Sequence, residues 1–152
     1  MSVSLSGVVA HLDQILEVGR FRDYGTNGLQ IEGKSQVQTI VTGVSANMAL
    51  FEKAAALGAD LIVVHHGLFW GGLKSLTGSA AKRFRYLLER EISLAAYHLP
   101  LDKHPRLGNN AGLCDAIGLG AERGEFGDVR GHALGTSRSE EHTSELQSRR
   151  NL

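Results

Sequence analysis

Two short runs combine residue types that bind metal. Val63-Val64-His65-His66-Gly67 carries paired histidines, and Tyr97-His98-Leu99-Pro100-Leu101-Asp102 brings together a histidine and a carboxylate. Neutral imidazole and carboxylate oxygen are ligands for divalent metals. A mixed nitrogen and oxygen set suits zinc, iron, manganese or nickel. His65, His66 and Asp102 are therefore the candidate metal ligands. His98 is a candidate catalytic proton carrier, and also a candidate ligand or partner of one.

Position strengthens the reading. Each run follows a stretch that reads as a buried strand, and in parallel α/β sheets ligands bind beyond the carboxyl ends of strands. Neighbouring residues in a regular strand point to opposite faces. The two histidines then reach one site only if the backbone bends, which Gly67 makes cheap. Alternatively each serves a different metal of a pair, and strand alternation favours this second arrangement. The bland alternative is an accidental His-His pair and an aspartate that merely caps a turn. Burying unpaired imidazoles is costly, and two such runs at one end of a sheet weigh against accident.

Other polar residues read more plainly. Asn109-Asn110 suits a helix N-cap, and Asn27 suits a turn that also faces the pocket. His104 precedes a proline in a polar loop and reads as solvated. Phe69 reads as core, and Trp70 as a pocket wall or a subunit contact. Cys114 reads as a small buried hydrophobe on a helix. His142 and Glu145 mimic a ligand spacing but fall in an atypical tail. No Walker loop, dinucleotide fingerprint or nucleophile elbow is present.

The elements that must position these residues follow from periodicity. Residues 4 to 18 carry apolar residues at helical spacing, with Gly19 as the stop. Residues 23 to 33 are polar and turn-rich. A strand over 39–44, a helix over 47–57 ended by Gly58, and a strand over 61–64 come next. A helix over 79–90, a strand over 92–97 and a helix over 109–117 ended by Gly118 complete the pattern. Strands alternating with helices predict an α/β fold of βαβ units, with a mostly parallel sheet and flanking helices.

The bulk numbers set limits. The 152 residues suffice for one core, and 42% hydrophobic content is ordinary for a globular chain. Lys and Arg (16) balance Asp and Glu (16), so nothing in the net charge points to nucleic acid. One cysteine rules out an internal disulfide. The start lacks a signal-peptide pattern, and no apolar run approaches the roughly 20 residues that span a bilayer. A cytoplasmic location without membrane attachment is expected.

Residues 1–137 form the expected α/β metal-binding domain, and 138–152 stand apart. Ser139 to Ser148 read Ser-Glu-Glu-His-Thr-Ser-Glu-Leu-Gln-Ser, which looks like one frame of a common DNA-sequencing adapter. The tail is thus expected to be non-native read-through and disordered. The alternative is a charged native tail.

Three stretches carry a family resemblance: Asn27-Gly28-Leu29-Gln30-Ile31-Glu32-Gly33, Gly58 through Gly67, and His98-Leu99-Pro100-Leu101-Asp102, with Gly108-Asn109-Asn110 following. The chain resembles the Nif-three-like dinuclear metal-centre proteins, also called GTP cyclohydrolase I type 2 homologues. The resemblance covers residues 1 to about 135. It implies two divalent metal ions, with His65, His66 and Asp102 as ligands and His98 close to them. It also implies further ligands, a His-x-x-x-Glu pair, in a second half that this chain lacks. The chain thus reads as the N-terminal half of a two-part fold, inactive by itself. A toroidal homohexamer with metals facing inward is implied. The expected function is metal-dependent hydrolysis of a small nucleotide-like or heterocyclic substrate. The alternative is a non-enzymatic metal-binding scaffold or regulatory protein.

Overall fold

A computed structural model of the chain describes residues 2–72, 75–119 and 123–137. The tail at 138–152, with His142 and Glu145, lies outside the described residues. The chain opens with β1 (Val3–Ser4) and α1 (Leu5–Ile15). β2 (Gly28–Ile31), β3 (Gln36–Val37) and β4 (Ile40–Ser45) precede α2 (Met48–Ala56). β5 (Leu61–His66), α3 (Gly78–Glu89), β6 (Ser93–Ala96), α4 (Leu99–Lys103) and α5 (Asn109–Ala116) follow. β7 (Gly124–Val129) and β8 (His132–Ser137) form an antiparallel hairpin.

The central sheet runs β2-β6-β5-β4. β4, β5 and β6 are parallel neighbours, and β2 adds an antiparallel edge. The α/β reading with a mostly parallel sheet is therefore what the chain forms. Local chemistry sets the helix ends. Ser4 Oγ accepts from the Gly7 amide at 3.1 Å and Asn47 Oδ1 from the Leu50 amide at 2.9 Å, so both are N-caps. Gly58 and Gly118 take φ of 70° and 73°, as helix-stop glycines do.

Side-chain alternation along the strands builds two apolar layers. Ile62, Val64, Leu94 and Ala96 pack with Phe51, Ala54 and Leu87 on the α2 and α3 side. Leu61, Val63, Ala95 and Tyr97 pack with Leu5, Val8, Leu12 and Leu16 on the α1 side. Burial on both faces explains why β5 is a continuous apolar run. It also fixes register, because a one-residue slip would exchange the two layers.

Several expectations need correction. α1 ends at Ile15, and Gly19 is not its stop. Glu17, at a φ of 50°, turns the chain into a short 3-10 segment over Val18–Arg20 that includes Gly19. Residues 28–31 form a strand, because backbone pairing with β6 overrides their turn-like composition. β5 extends through His66, so both histidines are strand residues. α4 and the β7–β8 hairpin were not legible as elements.

Asp60 ties the start of β5 to the start of β4. Its Oδ2 accepts from the amides of Gln38 (2.9 Å) and Thr39 (3.1 Å). Those two hydrogen bonds, with help from Lys34, hold its carboxyl below the usual carboxylate range. A depressed carboxyl stabilises the fold above its unfolded pKa and loses that contribution as pH falls through its folded value. Asp60→Asn is expected to cost about 1 kcal/mol at pH 7. Urea unfolding should show the difference from wild type shrinking below about pH 4.

Candidate metal centre

The carboxyl ends of β5 and β6 bring three imidazoles together. One ligand atom each from His65, His66 and His98 lie within 4.8 Å of one another. The ring centroids of His65 stand 4.4 Å from His66 and 4.9 Å from His98. Alternation alone would send the neighbours to opposite faces. Instead each leans toward a different flanking strand end. His65 Nδ1 lies 3.0 Å from the Tyr97 carbonyl, just past β6, and His66 Nδ1 lies 3.1 Å from Ser45 Oγ at the end of β4. The rings thus converge above the strand ends.

Gly67 does not act as a left-handed bend. A Cβ there would fall 2.6 Å from Ala96 Cβ and would also collide with the Gln30 amide. Glycine lets the chain pass closely over β6 and β2. Gln30 Oε1 then accepts from the Leu68 amide at 2.7 Å, and Gln30 Nε2 donates to the Thr26 carbonyl at 2.7 Å.

His98 is held by Asp23, 75 residues away in sequence. Its Nδ1 lies 2.8 Å from Asp23 Oδ1, and Asp23 Oδ2 accepts from the Leu99 amide at 2.8 Å and the Asn27 amide nitrogen at 2.9 Å. Asn27 Oδ1 in turn accepts from the His98 amide at 2.7 Å. Burial pushes the Asp23 carboxyl up, but the bonds from His98, Asn27, Leu99 and Tyr24 together hold it below the usual range. Asp23 is therefore an anion that can only accept, and His98 Nδ1 must carry the proton. A carbonyl also only accepts, so His65 Nδ1 donates to Tyr97. In both rings Nε2 is then the nitrogen left for a metal.

Asp102 comes from α4. Its Oδ1 lies 3.6 Å from His65 Nε2 and accepts from Asn109 Nδ2 at 2.9 Å. Burial lowers the His66 pKa, and the neighbouring His65 and His98 lower it further, against a smaller opposing pull from Asp102. His66 is thereby kept neutral at pH 7. Tyr97 secures the floor. Its hydroxyl donates to Asp13 Oδ1 on α1 at 2.9 Å, and burial raises its pKa far enough to keep it a neutral donor.

The four predicted site residues thus meet at one end of the sheet. Some roles differ from expectation. Gly108 occupies the cap position of α5, while Asn109 is its first residue and steadies Asp102. Asn110 reaches across to the Leu134 carbonyl. His104 lies half-exposed in the loop after α4, and its Nδ1 accepts from the amides of Arg106 and Leu107. Phe69 packs edge-on against Phe84, as core. Trp70 is 39% exposed and meets His98 edge-on at 5.0 Å, so it walls the cluster. Cys114 is buried as expected. Asp23 and Ser45 escaped the sequence reading, because nothing local marks a distant imidazole partner.

Comparison with known proteins places the chain in a family. The family model described as Duf34/NIF3 (NGG1p interacting factor 3) matches residues 3–148. The chain belongs to the Duf34/NIF3 family. A relative named GTP cyclohydrolase 1 type 2 homolog, from Archaeoglobus fulgidus, is 42% identical over 135 residues, covering 89% of this chain and 55% of that protein. The protein of the same name from Pseudomonas aeruginosa is 46% identical over 123 residues, covering 80% and 49%. The solved structure of protein ybgI, titled as of unknown function, matches with a TM-score of 0.75 at 42% identity. That match covers 83% of this chain and 50% of ybgI. The chain spans about half the length of the Duf34/NIF3 relatives it matches. Among the described residues, no helix is long and apolar enough to cross a membrane.

Asp23 is the part of this centre whose removal is easiest to read. Its side chain is 2% exposed and serves four donors. Asp23→Ala is expected to cost about 2–4 kcal/mol, because buried donors lose their acceptor. Chemical denaturation measures it. A loss under about 0.5 kcal/mol would mean that the network contributes nothing.

Proposed function

We propose that this chain binds divalent metal through His65, His66 and Asp102, and contributes them to a metal-dependent hydrolase site. The carrying observation is the set of three imidazole donors within 4.8 Å, with a carboxylate beside one of them. Two rings have Nδ1 committed to acceptors, which leaves Nε2 for a metal. The donor set fits zinc, iron, manganese or nickel. When bound, two such ions supply Lewis-acid polarisation and lower the pKa of water.

The chain's own residues do the rest. His65 and His66 lean to opposite strand ends, an arrangement that supports service to two metals as well as to one. Asn109 orients the Asp102 carboxylate. His98, backed by the Asp23 anion, is the proposed proton carrier through Nε2. His98 also has a ring nitrogen within 4.8 Å of those of His65 and His66, and the metal and activity measurements below separate the two roles. Trp70 walls the site, in keeping with a small heterocyclic or nucleotide-like substrate. The further His-x-x-x-Glu ligands and the homohexamer implied by the resemblance are part of the same proposal, as is a cytoplasmic location.

Metal content measured after loading with zinc or manganese tests the ligand set. His65→Ala with Asp102→Ala should lower bound metal at least about tenfold. Unchanged loading would overturn the assignment. His98→Gln should retain metal and lower hydrolysis by about 10²–10⁴-fold if His98 carries protons. Loss of metal instead would make it a ligand. Metal loading without hydrolysis of any phosphorylated or heterocyclic substrate would favour the scaffold reading.

A further inference from the structure

A cavity of about 650 Å³ lies between α4, α5 and the β7–β8 hairpin. Its size is in the range of small-molecule sites. Asp102 is part of its wall, so the cavity opens beside the histidine cluster. Lys103, Arg106 and Arg123 also line it.

The charges are arranged unequally. Lys103 pairs with Glu125, and Arg123 pairs with Asp115. The cationic side chains are recessed, at 28% and 19% exposure, whereas Glu125 and Asp115 are 67% and 66% exposed. Ion pairs with such exposed carboxylates contribute little and exchange readily. The Arg106 guanidinium has no partner among the described residues, and its backbone is fixed by the hydrogen bond that its N–H donates to His104 Nδ1. Arginine and lysine together suit a phosphate oxyanion. The Asp102 carboxylate shares the wall, and its Oδ1 is engaged by the hydrogen bond from Asn109 Nδ2.

We propose that this cavity receives the phosphate or pyrophosphate end of a small-molecule substrate. Lys103, Arg106 and Arg123 recognise it, and Glu125 and Asp115 are the carboxylates it displaces. The placement of the substrate's reacting end rests on the metal reading above, but the phosphate contact itself needs no metal.

Titration of the metal-free chain with inorganic pyrophosphate, followed by amide NMR, tests it. Shifts should concentrate at residues 103–106 and 123–125. Lys103→Ala and Arg106→Ala should each weaken binding at least about fivefold, while Lys34→Ala on the far side of the fold changes nothing. Glu125→Gln removes a competing carboxylate and should tighten binding, a gain that misfolding cannot produce. Absence of binding up to about 10 mM, weaker binding by Glu125→Gln, or equal loss in Lys34→Ala would overturn the proposal. Metal content measured on the same proteins separates the two readings. Pyrophosphate binding by a chain that takes up no metal sustains this inference and overturns the metal site.

Discussion

Everything at this site depends on three imidazole rings being held together at one end of the sheet. A proton on one ring repels a proton on the next, and burial penalises charge on any of them. His66 registers both effects, with burial the larger. Crowding alone would favour scatter. The rings stay because two of them have an acceptor for Nδ1–H, the Tyr97 carbonyl for His65 and the Asp23 carboxylate for His98. Ser45 Oγ supplies the third ring with its partner. The fold therefore selects which nitrogen faces inward before any ligand arrives.

Each partner is delivered by a different element, which is why the sheet matters. Ser45 ends β4, the histidine pair ends β5, and Tyr97 follows β6. Parallel pairing aligns these three ends, with Ser45 opposite His66 and Val64 opposite Ala96. The two apolar layers lock that register. Asp23 arrives from outside the sheet, on a loop bound to the chain after β5 through Thr26, Phe69 and the Gly25–Trp70 bridge. The same loop thus orients His98 and places the indole wall.

Much of this was legible from the residues themselves. The apolar run over 61–64 announced a doubly covered strand, and the paired histidines after it announced the site. Gly58 and Gly118 marked helix ends that the chain uses. What escaped was set by distance in sequence. Residues 28–31 look like a turn because their strand character comes from pairing with β6. Asp23 looks like a turn residue because its imidazole partner is 75 positions away. α4 is too short, at 5 residues, to show a helical period, yet it carries Asp102 to His65.

The central claim is that the protein presets its donor atoms, with Nδ1 given to an acceptor and Nε2 left for a metal in His65 and His98. Nitrogen-15 NMR of the imidazole rings in metal-free protein at pH 7 measures this directly. The expected result is a proton on Nδ1 of both rings, with Asp23→Asn disturbing the tautomer of His98 while leaving that of His65. Rings that carry the proton on Nε2 alone, or that exchange freely between tautomers, would contradict the account.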